Sequence, residues 1–260
     1  MNSKLKRGFA ALAVTASSAM ILSSCAAPSF DAANCTDAAL SVGSLLPTTG
    51  NLAFLGAPEI AGVDLAIKEI NEAGGVAGKC VSVSHKDSGD TTTDIATQSS
   101  TALINDGVDA IVGAASSGVS LSVIDQITGA GVLQISPANT APDLSTYADG
   151  GLYFRTAPSD VLQGRVLGNL MVGDGASNVA FLTLQDPYGT GLFENAKIAV
   201  EAAGGTVVAN EEFAPGTKNF SSQIDKVLAA KPDAIAVISF DEVKSILPEL
   251  VKVKGWDPTK

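Results

Sequence analysis

The chain runs to 260 residues, 46% of them hydrophobic and 17% charged, with a formal net charge of -11. That length allows one large domain or two lobes with cores of their own, and the composition excludes a disordered chain. The acidic balance leaves no basic footprint, so nucleic acid is not an expected partner.

In chain order, Lys4, Lys6 and Arg7 come first, followed by the apolar run from Gly8 to Leu22. This run is too short to span a membrane as a mature helix and has the layout of a secretion signal. It ends in Leu22-Ser23-Ser24-Cys25, which resembles the lipobox of bacterial lipoproteins. The resemblance implies a leader over residues 1–24, a lipid on Cys25, and work outside the cytoplasm, on the outer face of the plasma membrane or in the periplasm. An ordinary secretion signal with an incidental cysteine is the alternative. Loss of the leader would move the formal charge from -11 to -14. Residues 25–38 are small, polar and aperiodic and read as a tether. Setting Cys25 aside leaves Cys35 and Cys80, each just before a predicted strand, as a disulfide pair; two free thiols are the alternative. Closing that loop would stabilise the fold by about 4 kcal/mol in the chain-entropy model.

From residue 39 strands and helices alternate. Strands are predicted at Leu40–Leu46, Val81–Ser84, Ala110–Val112, Val132–Ile135 and Leu152–Phe154. Ile60, Val63, Ile67 and Ile70 fall at helical spacing and Gly74-Gly75 ends that helix; further helices are predicted over Asp94–Asn105 and Val119–Ile127. The pattern then restarts: helix Asp160–Val172, strand Val179–Leu184, helix Phe193–Ala203, strand Val207–Phe213, helix Phe220–Ala230, strand Ala234–Ile238 and helix Val243–Lys254. NEAGGVAG matches EAAGGTVV and GVDAIVG matches KPDAIAV, in each case at a helix end or a strand start. This predicts an α/β protein of two similar doubly wound parallel-sheet lobes joined by a hinge. One lobe is expected over residues 39–155 and a second, incomplete one over residues 156–260.

Enzyme motifs are poorly met. Ala114-Ala115-Ser116-Ser117-Gly118 approaches a nucleophile elbow on Ser116, but the only histidine, His85, lies upstream, where that fold does not place it. His85 reads as an exposed polar residue at a strand end. Gly74 to Cys80 approaches a phosphate-binding loop, with alanine for its first glycine and cysteine for its magnesium-binding hydroxyl. No cofactor is implied, no cluster has metal-ligand spacing, and helix capping accounts for Asp87, Asp90 and Asp94. Anion binding fits better. Ser117 is expected at the N-cap of a helix that begins at a strand's carboxyl end, where a hydroxyl, backbone N–H groups and the helix dipole converge. The loop Ser136-Pro137-Ala138-Asn139-Thr140 ends the next strand. Plain helix capping by both loops is the alternative.

The stretches GSLLPTTGNLAFLG, AIKEINEAGGVAG, INDGVDAIVGAASSG, SPANTAPDL, YFRTAPSD, QDPYGTGL and FSSQIDKVLAAKPDAI span Val42 to Lys254. Together they resemble the solute-binding proteins of ABC importers, in the group that binds leucine, isoleucine, valine or related amino acids through a type I periplasmic-binding fold. The resemblance implies a monomer that captures a small amino acid, delivers it to permease subunits and performs no catalysis. It assigns the ligand carboxylate to Ser117 with the Ala115 and Ser116 loop, backbone contacts to Asn139, a hydroxyl contact to Thr140, and a closing aromatic to Tyr188. Leu55 and Phe240 fall at positions that are often aromatic. The family's acidic partner for the ligand ammonium falls beyond Lys260. Asp160 is a weaker candidate for that role and also suits a helix cap. A sensor ectodomain of the same fold, or a serine hydrolase using Ser116, are the rival readings.

Overall fold

The computed structural model describes Cys35 and residues 37–257. The leader 1–24, Cys25 and most of the tether lie outside the described residues. Among the described residues no helix is long and apolar enough to cross a membrane.

Two parallel sheets organise the chain. The first contains β1 (Leu40–Leu46), β2 (Val81–Asp87), β3 (Ala110–Gly113), β4 (Leu133–Ser136) and β5 (Tyr153–Arg155), in the order β2-β1-β3-β4-β5. The second contains β6 (Asn178–Leu184), β7 (Thr206–Phe213) and β8 (Ala234–Ile238), in the order β7-β6-β8. The first three strands of each half are therefore wound in the same order. The matched sequence pairs occupy equivalent places and perform the same local task. Asp109, just before β3, accepts the N–H of Ser41 at 2.8 Å, and Asp233, just before β8, accepts that of Asn178 at 2.8 Å. In each half the aspartate pins the start of the central strand.

Helices α1 (Ala53–Glu72), α2 (Ile95–Asn105) and α3 (Ser117–Gly129) cross between strands of the first sheet, and α4 (Asp160–Gly173) follows β5. Helices α5 (Pro187–Ala202) and α6 (Ser221–Ala229) cross between strands of the second, and α7 (Val243–Pro248) follows β8. The double-glycine pairs end α1 and α5 alike. Gly74 (φ 104°) and Gly204 (φ 90°) take the left-handed conformation, and the next N–H returns to Ile70 and to Val200, each at 2.9 Å. Those bonds satisfy carbonyls that the helix end leaves open, and only glycine adopts the required φ without strain.

Each sheet is covered on both faces. Leu45, Leu103, Ile111, Val123 and Ile127 form the core beneath α2 and α3, while Val42, Ile67 and Val81 pack under α1. In the second half, Phe213 and Phe220 meet edge-to-face at 5.1 Å on one side of the sheet, and Phe181 and Phe193 do the same at 5.1 Å on the other. Continuous burial through β1 and β6 is what a parallel strand between two helical layers requires.

Several boundaries differ from the sequence reading. Helix α5 starts at Pro187 rather than Phe193, because Asp186 caps it by accepting the N–H of Tyr188 and Pro187 has the φ of a first helical residue. Strand β2 continues to Asp87, so His85 is not at its end: it bonds Ser44 at 2.7 Å and Asp64 at 2.9 Å. The expected last helix is split, α7 ending at Pro248 and a π-helical turn covering Glu249–Val253. Pro248 lacks the N–H an α-helix needs there.

Cys35 and Cys80 are joined, with Cα atoms 5.9 Å apart. They tie the start of the first lobe to the entry of β2.

Candidate functional site

A cavity of about 320 Å³ lies between the two lobes, at the carboxyl ends of strands from both sheets. The first lobe contributes Leu52, Phe54 and Leu55 after β1, Ala115 and Ser117 after β3, and Ala138 and Thr140 after β4. From the other side come Gln163, Tyr188, Ser239 and Phe240. Every one of these side chains is uncharged, so polarity must come from hydroxyls, amides and helix ends. Of the residues named from the sequence, Ala115, Ser117, Thr140, Tyr188, Leu55 and Phe240 share this cavity.

The GAASSGVS loop is arranged differently from the expectation. Ser116, not Ser117, is the N-cap of α3, its hydroxyl accepting the N–H of Val119 at 3.3 Å. Ser117 is the first helical residue and is 2% exposed. Its Oγ accepts the N–H groups of Thr140 and Ala141, both at 3.2 Å. Its own hydroxyl proton is thereby left to donate towards the cavity. One loop thus fixes the other, and the helix dipole adds favourable potential for a negative group.

Three further expectations need correction. Asn139 is fully buried and outside the cavity lining. Its side chain donates to the Ala115 carbonyl at 2.8 Å and accepts from the Tyr153 hydroxyl at 2.9 Å, while its N–H goes to Ser136. Asn139 braces the two loops, and its neighbour Ala138 is the one that lines the cavity. Asp160 is not a helix cap either, because Ser159 holds that position. The Asp87 and Asp90 carboxylates also cap no helix. They hold the loop after β1 through the N–H groups of Thr48, Thr49 and Asn51. Burial opposes ionisation, but hydrogen bonds from the Thr49 hydroxyl to Asp87 and from Thr92 to Asp90, with those N–H groups, lower both pKa values.

Asp160 stands behind Thr140, its N–H bonded to the Thr140 carbonyl at 2.8 Å, and like Ser116 it lies outside the cavity lining. It is fully buried, and neither carboxylate oxygen makes a hydrogen bond of ordinary geometry, the Thr140 hydroxyl being at most a weak partner. Burial raises its pKa to about 6, only partly offset by the Thr140 hydroxyl and the Arg155 charge. Tyr188 stacks on Phe240 with ring centroids 5.4 Å apart and an interplanar angle of 10°. Burial, helped by the Asp160 charge, pushes its phenol up to about 12.

Two buried carboxylates were not anticipated. Asp186, 4% exposed, has one oxygen without a partner and lies against Gly118 of α3. Burial raises its pKa, and the Glu242 charge acts in the same direction. Glu242, also 4% exposed, accepts from Asn51 of the other lobe at 3.0 Å. Nothing local in the sequence signals this contact, since its partners are 191 residues apart. Gln163 was legible only as a polar residue one turn into α4.

A family model described as periplasmic binding protein matches residues 39–246. The chain belongs to that family. It is 30% identical to the Leu/Ile/Val-binding protein BraC3 of Rhizobium johnstonii, over 75% of this chain and 53% of the relative. It is also 30% identical to BasB of Halobacterium salinarum, a substrate-binding protein of a chemotactic signal transduction system, over 82% of this chain and 53% of the relative. Among solved structures it resembles the branched-chain amino acid transporter substrate-binding protein LivJ of Streptococcus pneumoniae in complex with isoleucine. That match has a TM-score of 0.73 and 30% identity, covering 84% of this chain and 62% of the other. The chain spans about half the length of the curated relatives it matches. Its fold is that of type I periplasmic-binding proteins. The family is one of substrate-binding proteins and implies an extracytoplasmic location.

Proposed function

We propose that this chain captures a small amino acid, branched-chain or related, outside the cytoplasm and delivers it to the permease of an ABC importer. The observation that carries this reading is the pairing around Thr140. The Ser117 hydroxyl, at the start of α3, accepts the Thr140 N–H, and the Thr140 carbonyl accepts the N–H of Asp160, whose buried carboxylate has at most the Thr140 hydroxyl for a partner. A zwitterion has the complementary charges. Its carboxylate would take the Ser117 hydroxyl and the start of α3, its ammonium would turn to Thr140 and Asp160, and its side chain would lie against Leu55, Tyr188 and Phe240. The cavity, at about 320 Å³, is near the small end of the range for small-molecule sites, which disfavours peptides and large sugars.

The rival hydrolase reading loses its support. The Ser116 hydroxyl caps α3, and the histidine it would need is bonded to Ser44 and Asp64 instead. We therefore read the site as non-catalytic. Likeness to BasB favours a second partner, a chemotaxis receptor, with the same ligand chemistry. Anchoring through a lipid on Cys25 and action as a monomer complete the reading.

Calorimetry of the full-length protein against leucine, isoleucine, valine, threonine, alanine and benzoate tests the ligand class. Binding of at least one neutral amino acid, with none of its amide, is the expected result. Binding of none, or of benzoate alone, overturns it. Loss of amino acid uptake on deletion assigns the importer, and loss of chemotaxis with intact uptake assigns the receptor.

A further inference from the structure

Glu242 lies outside the cavity yet touches both of its halves. Its carboxylate is 4% exposed and accepts three hydrogen bonds from three separate segments. One oxygen takes the N–H of Gly216 at 3.1 Å and the Asn51 side-chain amide at 3.0 Å; the other takes the N–H of Phe240 at 3.1 Å. All three donors are neutral, so the charge is held by dipoles rather than by a cation.

Each arm leads to the cavity. Phe240 lines it and stacks on Tyr188. Asn51 precedes Leu52, another lining residue, and its own N–H is fixed by Asp90 at 3.1 Å. Two of the bonds, to Phe240 and Gly216, stay within the second lobe. The third alone crosses to the first lobe, and it exists only while the lobes are together. Separation would leave a carboxylate with one donor fewer at the moment the aromatic wall loses its opposing face.

We propose that Glu242 is a positioning residue for ligand capture, seating the Phe240 wall through one oxygen and, through the other, linking it to Asn51 when the lobes close. This rests on the reading that the cavity holds an amino acid. The Asn51 arm governs how long any ligand stays, because it stabilises only the closed form. The Phe240 arm governs side-chain discrimination, because it sets the wall against which the ligand side chain packs.

The test uses the full-length protein, with leucine and alanine as probes in stopped-flow binding. Asn51→Ala should raise the dissociation rate of both ligands about tenfold, the loss expected for one hydrogen bond to a charged group, with association rates and the ligand-free melting temperature little changed. Glu242→Gln should do the same and also narrow the leucine-to-alanine preference, because Phe240 loses its charged acceptor. Asn51→Asp should be the worst, placing a second carboxylate against the first. Wild-type dissociation rates in both Asn51 variants overturn the proposal, as does an unchanged leucine-to-alanine ratio in a folded Glu242→Gln. Should the wild type bind neither probe, the ligand reading fails on its own. The cross-lobe arm is then decided by small-angle scattering of the free protein: a larger radius of gyration in Asn51→Asp supports it, and an unchanged one refutes it.

Discussion

At Ser117 one hydroxyl carries three relationships. Its oxygen receives Thr140 and Ala141 and its proton is left for the proposed ligand, so removing it orphans two N–H groups as well as the proposed ligand contact. Ser117→Ala should weaken amino acid binding by about 1.5–3 kcal/mol, roughly 10- to 150-fold, with little further loss for an amino acid amide. Calorimetry on the two ligands reads both numbers, and equal losses for acid and amide would reduce Ser117 to a loop brace. Asp160 supplies the pH dependence. Burial raises its pKa to about 6 in the free protein, so the stability gained from its neutral form is complete below the ordinary carboxylate range and is lost as pH rises through about 6. A bound ammonium prefers the ionised form and has the opposite effect on affinity. Binding should therefore strengthen as pH rises from 5 towards 7, by up to about tenfold per unit below 6, and level off above. Asp160→Asn should bind weakly with a flat profile. A flat profile in the wild type would remove Asp160 from the site.

The order of elements was legible because each signal is local. A double glycine closes a helix, an aspartate pins a strand start, and short apolar runs alternate with helical spacing. The matched pairs NEAGGVAG and EAAGGTVV predicted equal winding, and the strand orders β2-β1-β3 and β7-β6-β8 agree with that. Boundaries set by a single cap were less legible: α3 starts two residues early on Ser116, and α5 six residues early on Asp186. A serine pair offers two candidate caps, and only backbone geometry chooses between them. The packing of α4 on α5 was not legible at all. Gly164 and Gly168 of α4 lie directly against α5, where a Cβ on Gly168 would stand 2.6 Å from the Ala196 carbonyl oxygen and from the Ala199 side chain. Helix propensity taken residue by residue sees only a weakening glycine at each position. Gly168→Val should destabilise the second lobe by about 1–3 kcal/mol through overpacking, outweighing the gain in helix propensity. Urea unfolding measures this, and an unchanged midpoint would mean that α4 shifts freely.

For the molecule as a whole, the cavity residues come from five separate strand ends and from helix α4, and this assembly was only partly visible beforehand. Thr140 and Tyr188 were named through the family resemblance, while Ser117 could be placed by its position at a strand end. Asp186 and Glu242 could not, because their environment is created when one lobe meets the other. The closest approach of this kind is at Gly118, whose missing side chain lets Asp186 and Pro187 of the second lobe reach the start of α3. A Cβ there would also stand 2.8 Å from the Thr91 methyl group. Gly118 lines no part of the cavity. Two of the three groups a side chain there would meet, Asp186 and Pro187, belong to the second lobe, so its substitution acts chiefly on bringing the lobes together. Gly118→Val should hold them apart and weaken ligand binding about 5- to 150-fold, the equivalent of a 1–3 kcal/mol penalty on the closed form alone. The free protein should melt as the wild type does, and small-angle scattering with saturating ligand should show incomplete compaction. Gly118→Ala should fall between the two. If the valine variant binds and compacts like the wild type, contact between α3 and Asp186 is not part of the closed state, and capture must rely on a different meeting of the lobes.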